Sequence, residues 1–75
     1  MKRLGEVVRT HGLLVLRSAD DDPPDIGAAA LDDSLAEVGR VVDVFGPVED
    51  PYVAVSLDDD AEETRYLGDR LYVRG

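Results

Sequence analysis

Residues able to take part in covalent chemistry are few in this sequence. His11 is the one histidine, it stands beside Gly12 in a predicted turn, and there is no cysteine. A histidine-based catalytic triad and a thiolate metal site therefore lack their usual components. No glycine-rich phosphate loop and no hydrolase elbow occurs in the chain. We expect a protein that is not an enzyme and that takes no cofactor and no small-molecule ligand.

Two aspartate runs are the other candidates for a ligand site. Asp20–Asp22 and Asp58–Asp60 offer oxygen ligands of the kind that calcium prefers. Neither run has the spaced ligands, the central glycine and the final glutamate of a helix-loop-helix calcium site. We therefore interpret residues 18–26 and 58–63 as two solvated acidic loops, and we predict no metal site.

One turn has an unusual composition and is the predicted site for binding a partner. Between Phe45 and Tyr52 the chain carries two prolines, which fix the backbone, together with apolar side chains where solvated turns normally carry Ser, Asn or Gly. A stiff apolar turn loses little entropy on docking, and tyrosine is a frequent interface anchor. The predicted partner-binding residues are Gly46, Pro47, Val48, Pro51 and Tyr52. The alternative is that Tyr52 and Val48 fold back and plug one end of the fold.

Length and charge limit what else the chain can do. Its 75 residues form one domain, and 17 acidic residues against 8 basic ones give a net charge of −9. Such an excess of negative charge repels phosphate backbones in ordinary salt, so direct binding of nucleic acid is disfavoured. Abundant Asp with a single Lys is also typical of proteins adapted to high salt, where a Debye length of ~3 Å screens this repulsion.

The compartment is predicted from what the sequence lacks. No apolar run approaches the ~18 residues of a membrane span, and the start of the chain has no signal-peptide core. The absence of cysteine fits a reducing environment. We expect a cytoplasmic protein without a membrane partner.

Short segments rich in β-branched residues, separated by turn signals, predict an all-β fold. Residues 4–10 and 13–16 form a predicted hairpin, 38–45 the central strand, 52–57 its partner, and 71–73 the last strand. In the central strand, simple alternation places Val41 and Asp43 on one face and Val42 and Val44 on the other. A small closed or nearly closed barrel accommodates this pattern because it leaves no exposed strand edge.

Residues 28–38 are ambiguous. Three alanines and the spacing of Leu31, Leu35 and Val38 favour a short helix, whereas Asp32-Asp33-Ser34 in the middle favours a turn between two strands. Local propensity by itself favours the helix.

The central segment also resembles a known family. The run Val38-Gly39-x-Val41-x-Asp43-Val44-Phe45-Gly46-Pro47-Val48-x-x-Pro51-Tyr52-Val53-x-Val55 is similar to the signature of the archaeal Gar subunit of H/ACA ribonucleoproteins, the RNA-guided pseudouridine synthases. Met1-Lys2-Arg3-Leu4-Gly5-x-Val7 and Gly68-x-x-Leu71-Tyr72-Val73 resemble the same family in the same order. The resemblance covers the whole chain. The acidic composition of the sequence suggests a family member of haloarchaeal type.

This resemblance implies a fold and a role. Members are six-stranded β-barrels resembling domain 2 of translation elongation factors, which makes 27–31 a strand. They are non-catalytic subunits that bind the catalytic domain of the pseudouridine synthase and promote turnover in the modification of rRNA, and possibly tRNA. Guide RNA is reached only indirectly, through the complex. Eukaryotic relatives carry Gly/Arg-rich tails, which this sequence lacks at 73–75.

A second interpretation stays open. Translation-type barrels share the same Gly and Val pattern, so the chain could be a free-standing barrel that binds RNA or a ribosomal partner directly. Co-purification after nuclease treatment separates the two, because only the first predicts that a synthase is still recovered.

Overall fold

The computed structural model describes residues 2–19, 24–58 and 63–74, and these residues form an all-β fold. The six strands are β1 (Lys2–Thr10), β2 (Leu14–Ser18), β3 (Ala29–Leu31), β4 (Glu37–Phe45), β5 (Tyr52–Leu57) and β6 (Arg70–Val73). A single turn of 3-10 helix, η1, spans Glu63–Tyr66 before β6. The acidic segments predicted at 18–26 and 58–63 fall partly outside the described residues, at 20–23 and 59–62.

The strands close into an antiparallel barrel in the order β1-β2-β5-β4-β3-β6, with β6 pairing back onto β1. The predicted six-stranded closed barrel is therefore confirmed. Closure leaves no sheet edge of the kind that pairs with other chains. Because neighbours are antiparallel, the β4–β5 turn and the segment entering β3 lie at one end of the barrel, while the β1–β2 and β3–β4 turns lie at the other.

Apolar residues at alternate positions fill the barrel. On β2 and β5, Leu14 faces Val55 and Leu16 faces Val53 across the ladder, and all four side chains are fully buried. This is the period of two expected of strands with one buried face. The core consists of Leu4, Val7, Leu14, Leu16, Ala30, Val41, Val53, Val55, Leu71 and Val73.

Simple alternation fails in β4, and the prediction for its faces was wrong at Asp43. The pairing with β5 steps from Val41 opposite Val55 to Asp43 opposite Ala54, so Val42 is an extra residue in a β-bulge. The bulge turns Asp43 outward and brings Val44 to the core beside Val41. A charged side chain thereby stays in water, which the regular register would have forbidden.

The ambiguous segment is strand, turn and strand, so the helix that local propensity favoured there was wrong. The carboxylate of Asp32 accepts hydrogen bonds from the backbone N–H of Ser34 at 2.9 Å, the Ser34 hydroxyl at 2.7 Å and the N–H of Ala36 at 3.0 Å. These bonds fix the β3–β4 turn and hold Leu35 at a φ of 69°. The strand implied for 27–31 is present as β3, where Ala30 and Leu31 are buried.

Gly39 in β4 permits a close approach between strands. A Cβ atom at this position would overlap the backbone carbonyl oxygen of Ser56 on β5. Only glycine fits there without displacing the backbone hydrogen bonds that pair β4 with β5. The glycine therefore fixes the packing of β4 on β5 where Gly39 faces Leu57.

Candidate partner-binding surface

The β4–β5 turn is compact and rigidly held. The backbone N–H of Asp50 donates to the carbonyl oxygen of Pro47 at 3.1 Å, which closes a four-residue turn. Gly46 enters this turn with a φ of 93°, a conformation that side-chain-bearing residues rarely adopt. After the turn, the carbonyl oxygen of Pro51 accepts a hydrogen bond of 3.0 Å from the N–H of Ser18, which anchors the chain to the end of β2.

The five residues predicted to bind a partner divide by exposure. Gly46 and Pro47 are exposed, and 86% of the Val48 surface is accessible to solvent. Tyr52 is half-buried, whereas Pro51 is buried and therefore holds the turn instead of presenting surface. The exposure of Val48 contradicts the alternative in which this side chain plugs the end of the barrel.

Phe45 and Tyr52 extend the apolar surface onto the outside of the barrel. They are directly opposite each other at the ends of β4 and β5, and their rings stack with centroids 5.9 Å apart and an interplanar angle of 22°. Such offset aromatic pairs stabilise one another by about 1 kcal/mol beyond the area they bury. Phe45 nevertheless remains 43% exposed. We call Phe45, Gly46, Pro47, Val48 and Tyr52 the hairpin patch.

Arg17 borders the hairpin patch and was missed by reasoning from the sequence. Its Nε and Nη2 atoms each lie 3.0 Å from one carboxylate oxygen of Asp50, the two-pronged geometry in which Arg binds carboxylates most strongly. The hydrogen bond to Asp50 and the negative charge of that carboxylate raise the pKa of Arg17. Like any arginine, it is charged at physiological pH. The two residues are 33 positions apart, and no local pattern links them.

The outer faces of β1 and β2 continue this surface as an open groove. Its lining residues are Val8, Arg9, Val15, Arg17, Phe45 and Tyr52. Val8 is 44% exposed although it is a large apolar residue in a strand. The pairing of β1 with β2 shifts between Val7 and Arg9, which marks a bulge at Val8. In the sequence, Val8 is an apolar residue of the first predicted strand. It was the signal that could have identified this groove from the sequence.

The arrangement is suited to contact with another molecule. Within the residues that the structure describes, no group of three or more His, Asp and Glu side chains is placed to hold a metal ion. Nor does any helix in those ranges reach the length and apolar character that crossing a bilayer requires. What the surface offers is exposed apolar groups on a stiff turn, with arginines beside them.

Comparison with known proteins agrees with this description. A solved structure of the Gar1 domain of Naf1 superposes on 97% of this chain and 85% of its own, with a TM-score of 0.71 and 15% identity, which shows a shared fold. An uncharacterized protein of Methanothermobacter thermautotrophicus is 32% identical over 79 residues, covering 97% of this chain and 83% of that protein.

A family model described as the Gar1/Naf1 RNA binding region aligns with residues 1–75. That span includes all six strands and the hairpin patch. The chain therefore belongs to the Gar1/Naf1 RNA binding region family.

Proposed function

We propose that the chain is a non-catalytic accessory subunit of an H/ACA ribonucleoprotein, which binds the catalytic domain of the pseudouridine synthase through the hairpin patch. The observation that carries this proposal is the hairpin patch itself, a turn that exposes Val48 almost completely while its backbone is closed by hydrogen bonds. Exposed apolar groups on a preorganised backbone dock with little loss of entropy. Membership of the Gar1/Naf1 family supplies the ribonucleoprotein context.

Guide RNA is contacted only indirectly in this proposal. The family description names RNA binding, but a net charge of −9 on 75 residues opposes close approach of a phosphate backbone. A protein contact avoids this cost because apolar and aromatic groups provide its main attraction. The subunit then acts by changing how often the synthase closes over its substrate RNA, in rRNA and possibly in tRNA processing. Such gating raises turnover without contributing a reacting group.

The second candidate is a translation-factor-like barrel that binds RNA or a ribosomal partner directly. One observation favours it, namely the arginines that border the hairpin patch, since Arg side chains bind phosphate as well as carboxylate. This candidate predicts that binding weakens steeply as salt rises, because counterion release drives it.

Co-purification with and without nuclease tests the proposal. The tagged chain is expressed with a pseudouridine synthase, and half of the extract is treated with nuclease. We expect equal recovery of the synthase from both halves. Loss of the partner after nuclease treatment would overturn the proposal and favour direct binding of RNA.

A variant in the hairpin patch tests whether this patch is the binding site for the synthase. Val48→Asp places a charge on the most exposed apolar residue of the patch, while Val42→Asp makes the same change at an exposed bulge position outside it. We expect the first to abolish synthase recovery and the second to retain it. Because the proposed subunit promotes turnover and takes no part in the chemical step, Val48→Asp should slow multiple-turnover pseudouridylation more than single-turnover chemistry. Equal effects on both rates would contradict that role.

A further inference from the structure

Positive charge is concentrated on one side of this acidic barrel. Four of the eight basic residues line two adjoining grooves on the outside of β1, β2 and β6. Arg3, Arg17 and Arg70 border the first groove, and Arg9 and Arg17 border the second. Val8 lines both. We call these four arginines together with Val8 the arginine face.

The strand register places residues of the arginine face side by side on adjacent strands. Glu6 on β1 is opposite Arg70 on β6 and opposite Arg17 on β2, and Arg17 is in turn opposite Tyr52 on β5. Directly paired residues of neighbouring strands point to the same side of a sheet. The arginine face is therefore continuous with the aromatic pair at the edge of the hairpin patch. Among the described lining residues of the two grooves, Glu6 is the only carboxylate.

The arginines differ in whether their charge is already matched. Arg17 holds Asp50 in a two-pronged ion pair, which demonstrates carboxylate binding on this face. Arg3, Arg9 and Arg70 form no ion pair with any residue in the described ranges. Arginine retains its charge at any physiological pH and presents a planar fork that fits a carboxylate. These three side chains carry the positive charge that a ligand can use.

Apolar groups alternate with these charges. Val8 is 44% exposed between the two grooves, and Val15, Phe45 and Tyr52 line the second groove beside Arg9. A ligand that matches the whole face has carboxylates separated by apolar side chains. Successive side chains of an extended peptide point to opposite sides, so every second residue faces the protein. A peptide in which acidic and apolar residues alternate among those every-second positions has that arrangement.

We infer that the arginine face binds a short acidic and apolar segment of a partner protein. Charge decides against RNA as the occupant, because a nucleic acid brings one negative charge per nucleotide toward a chain of net charge −9. A peptide brings few charges and gains from contact with Val8 and the aromatic pair. The inference does not depend on the identity of the hairpin partner, since its charged contacts Arg3, Arg9 and Arg70 lie outside the hairpin patch.

Fluorescence anisotropy tests this inference on the full chain with a labelled Glu and Leu peptide, in which every second residue is Ser and the residues between are Glu and Leu in turn, so that one side presents both. Three further probes of matched length are a Lys and Leu peptide, a Glu and Ser peptide, and oligouridylate. We expect the Glu and Leu peptide to bind tightest at low ionic strength, the Glu and Ser peptide at least ~5-fold more weakly, and the Lys peptide not at all. Tighter binding of oligouridylate than of any peptide would overturn the inference.

Matched variants locate the binding. Arg9→Gln with Arg70→Gln removes one cation from each groove, while Arg40→Gln with Arg74→Gln removes the same charge from exposed positions elsewhere. We expect the first pair of substitutions to weaken binding of the Glu and Leu peptide by at least ~10-fold, and the control pair to weaken it by less than ~2-fold. Thermal unfolding checks that both proteins are folded. Equal weakening by both pairs would show a response to net charge alone and would refute the arginine face, as would undetectable binding to the unaltered chain.

Discussion

Arg17 and Asp50 connect the end of β2 to the turn that leads into β5, through two hydrogen bonds of 3.0 Å each. The side chains of Arg17 and Asp50 are 62% and 41% exposed, and ion pairs open to solvent contribute little to the free energy of unfolding because water and salt screen them. We therefore expect the pair to orient the turn. Its contribution should appear in binding and not in global stability.

Asp50→Ala tests this assignment. We expect its thermal midpoint to stay close to that of the unaltered chain, while binding to the pseudouridine synthase weakens, because the turn and Arg17 lose their common anchor. Glu49→Ala, which removes a neighbouring exposed carboxylate from the same turn, is the control. A large drop in midpoint for Asp50→Ala would mean that the pair stabilises the barrel itself.

Tyr52→Ala should remove the main anchor of the hairpin patch. Truncating an aromatic anchor typically costs ~2 kcal/mol or more of binding free energy, which is at least ~30-fold in affinity. The fold should survive, because Tyr52 stacks on Phe45 on the outside of the barrel and does not belong to the buried core. Circular dichroism and thermal melting accompany the binding measurement.

Tyr72→Ala is the matched control for that variant, because Tyr72 is also half-buried but lies on β6 opposite Leu31. It should leave synthase binding intact. If Tyr52→Ala binds the synthase normally while remaining folded, the docking surface lies elsewhere on the barrel.

Gly46→Ala should strain the β4–β5 turn more than glycine replacement at other turns does. The backbone at Gly46 has a φ of 93°, and an added Cβ would lie 3.0 Å from Cδ2 of Tyr52. Gly12 has a similar φ of 74°, but an added Cβ there meets nothing within 4 Å. Both variants should lose about 1 kcal/mol from the left-handed backbone.

The difference between the two alanine variants then measures the contact with the tyrosine ring. We expect Gly46→Ala alone to shift the near-ultraviolet signal of Tyr52 and to weaken partner binding. Identical melting and identical binding for the two variants would contradict this contact.

Asp32 should make the β3–β4 turn sensitive to acid. The hydrogen bond from the Ser34 hydroxyl, followed by that from the Ala36 N–H, lowers the pKa of the Asp32 carboxyl from its ordinary value of 3.8. A group whose pKa is lower in the folded chain stabilises the fold fully above its unfolded pKa, and loses that contribution as the pH falls through the folded pKa. Stability should therefore decline below the ordinary carboxyl value.

Two variants test whether Asp32 causes this loss of stability in acid. Asp32→Ala removes every acceptor and should cost about 1 kcal/mol at neutral pH. Asp32→Asn keeps one acceptor oxygen and should cost less, while reducing the loss of stability in acid. Urea denaturation at neutral and acidic pH measures both effects. An unchanged pH profile in Asp32→Asn would assign the acid sensitivity to other carboxyls.

Salt should stabilise the barrel. A net charge of −9 on so small a surface repels itself, and the range of that repulsion falls from ~10 Å at 0.1 M salt to ~3 Å at 1 M. We expect a higher thermal midpoint in molar KCl than in dilute buffer. Potassium chloride is preferred to sulfate for this measurement because sulfate stabilises proteins by exclusion from their surface. Equal midpoints at both concentrations would refute adaptation to high salt.

Local sequence patterns determined much of the strand framework. Residues 52–57 were predicted to the exact bounds of β5, because Val53 and Val55 alternate with less apolar neighbours between two turn signals. The same reasoning found the β4–β5 turn from its prolines. These features depend on contacts between residues close in sequence, so propensity and period are sufficient to predict them.

Tertiary structure decided what depends on distant parts of the chain. The bulge at Val42 arises from register against β5, and the strand at 29–31 forms because Ala30 and Leu31 are buried between β4 and β6, which outweighs the helical propensity of alanine. Arg17 reaches Asp50, and Arg70 lines a groove with Arg3, only because the barrel closes. Closure brings together residues that no local pattern relates, so the arginine face could be found only in the folded chain.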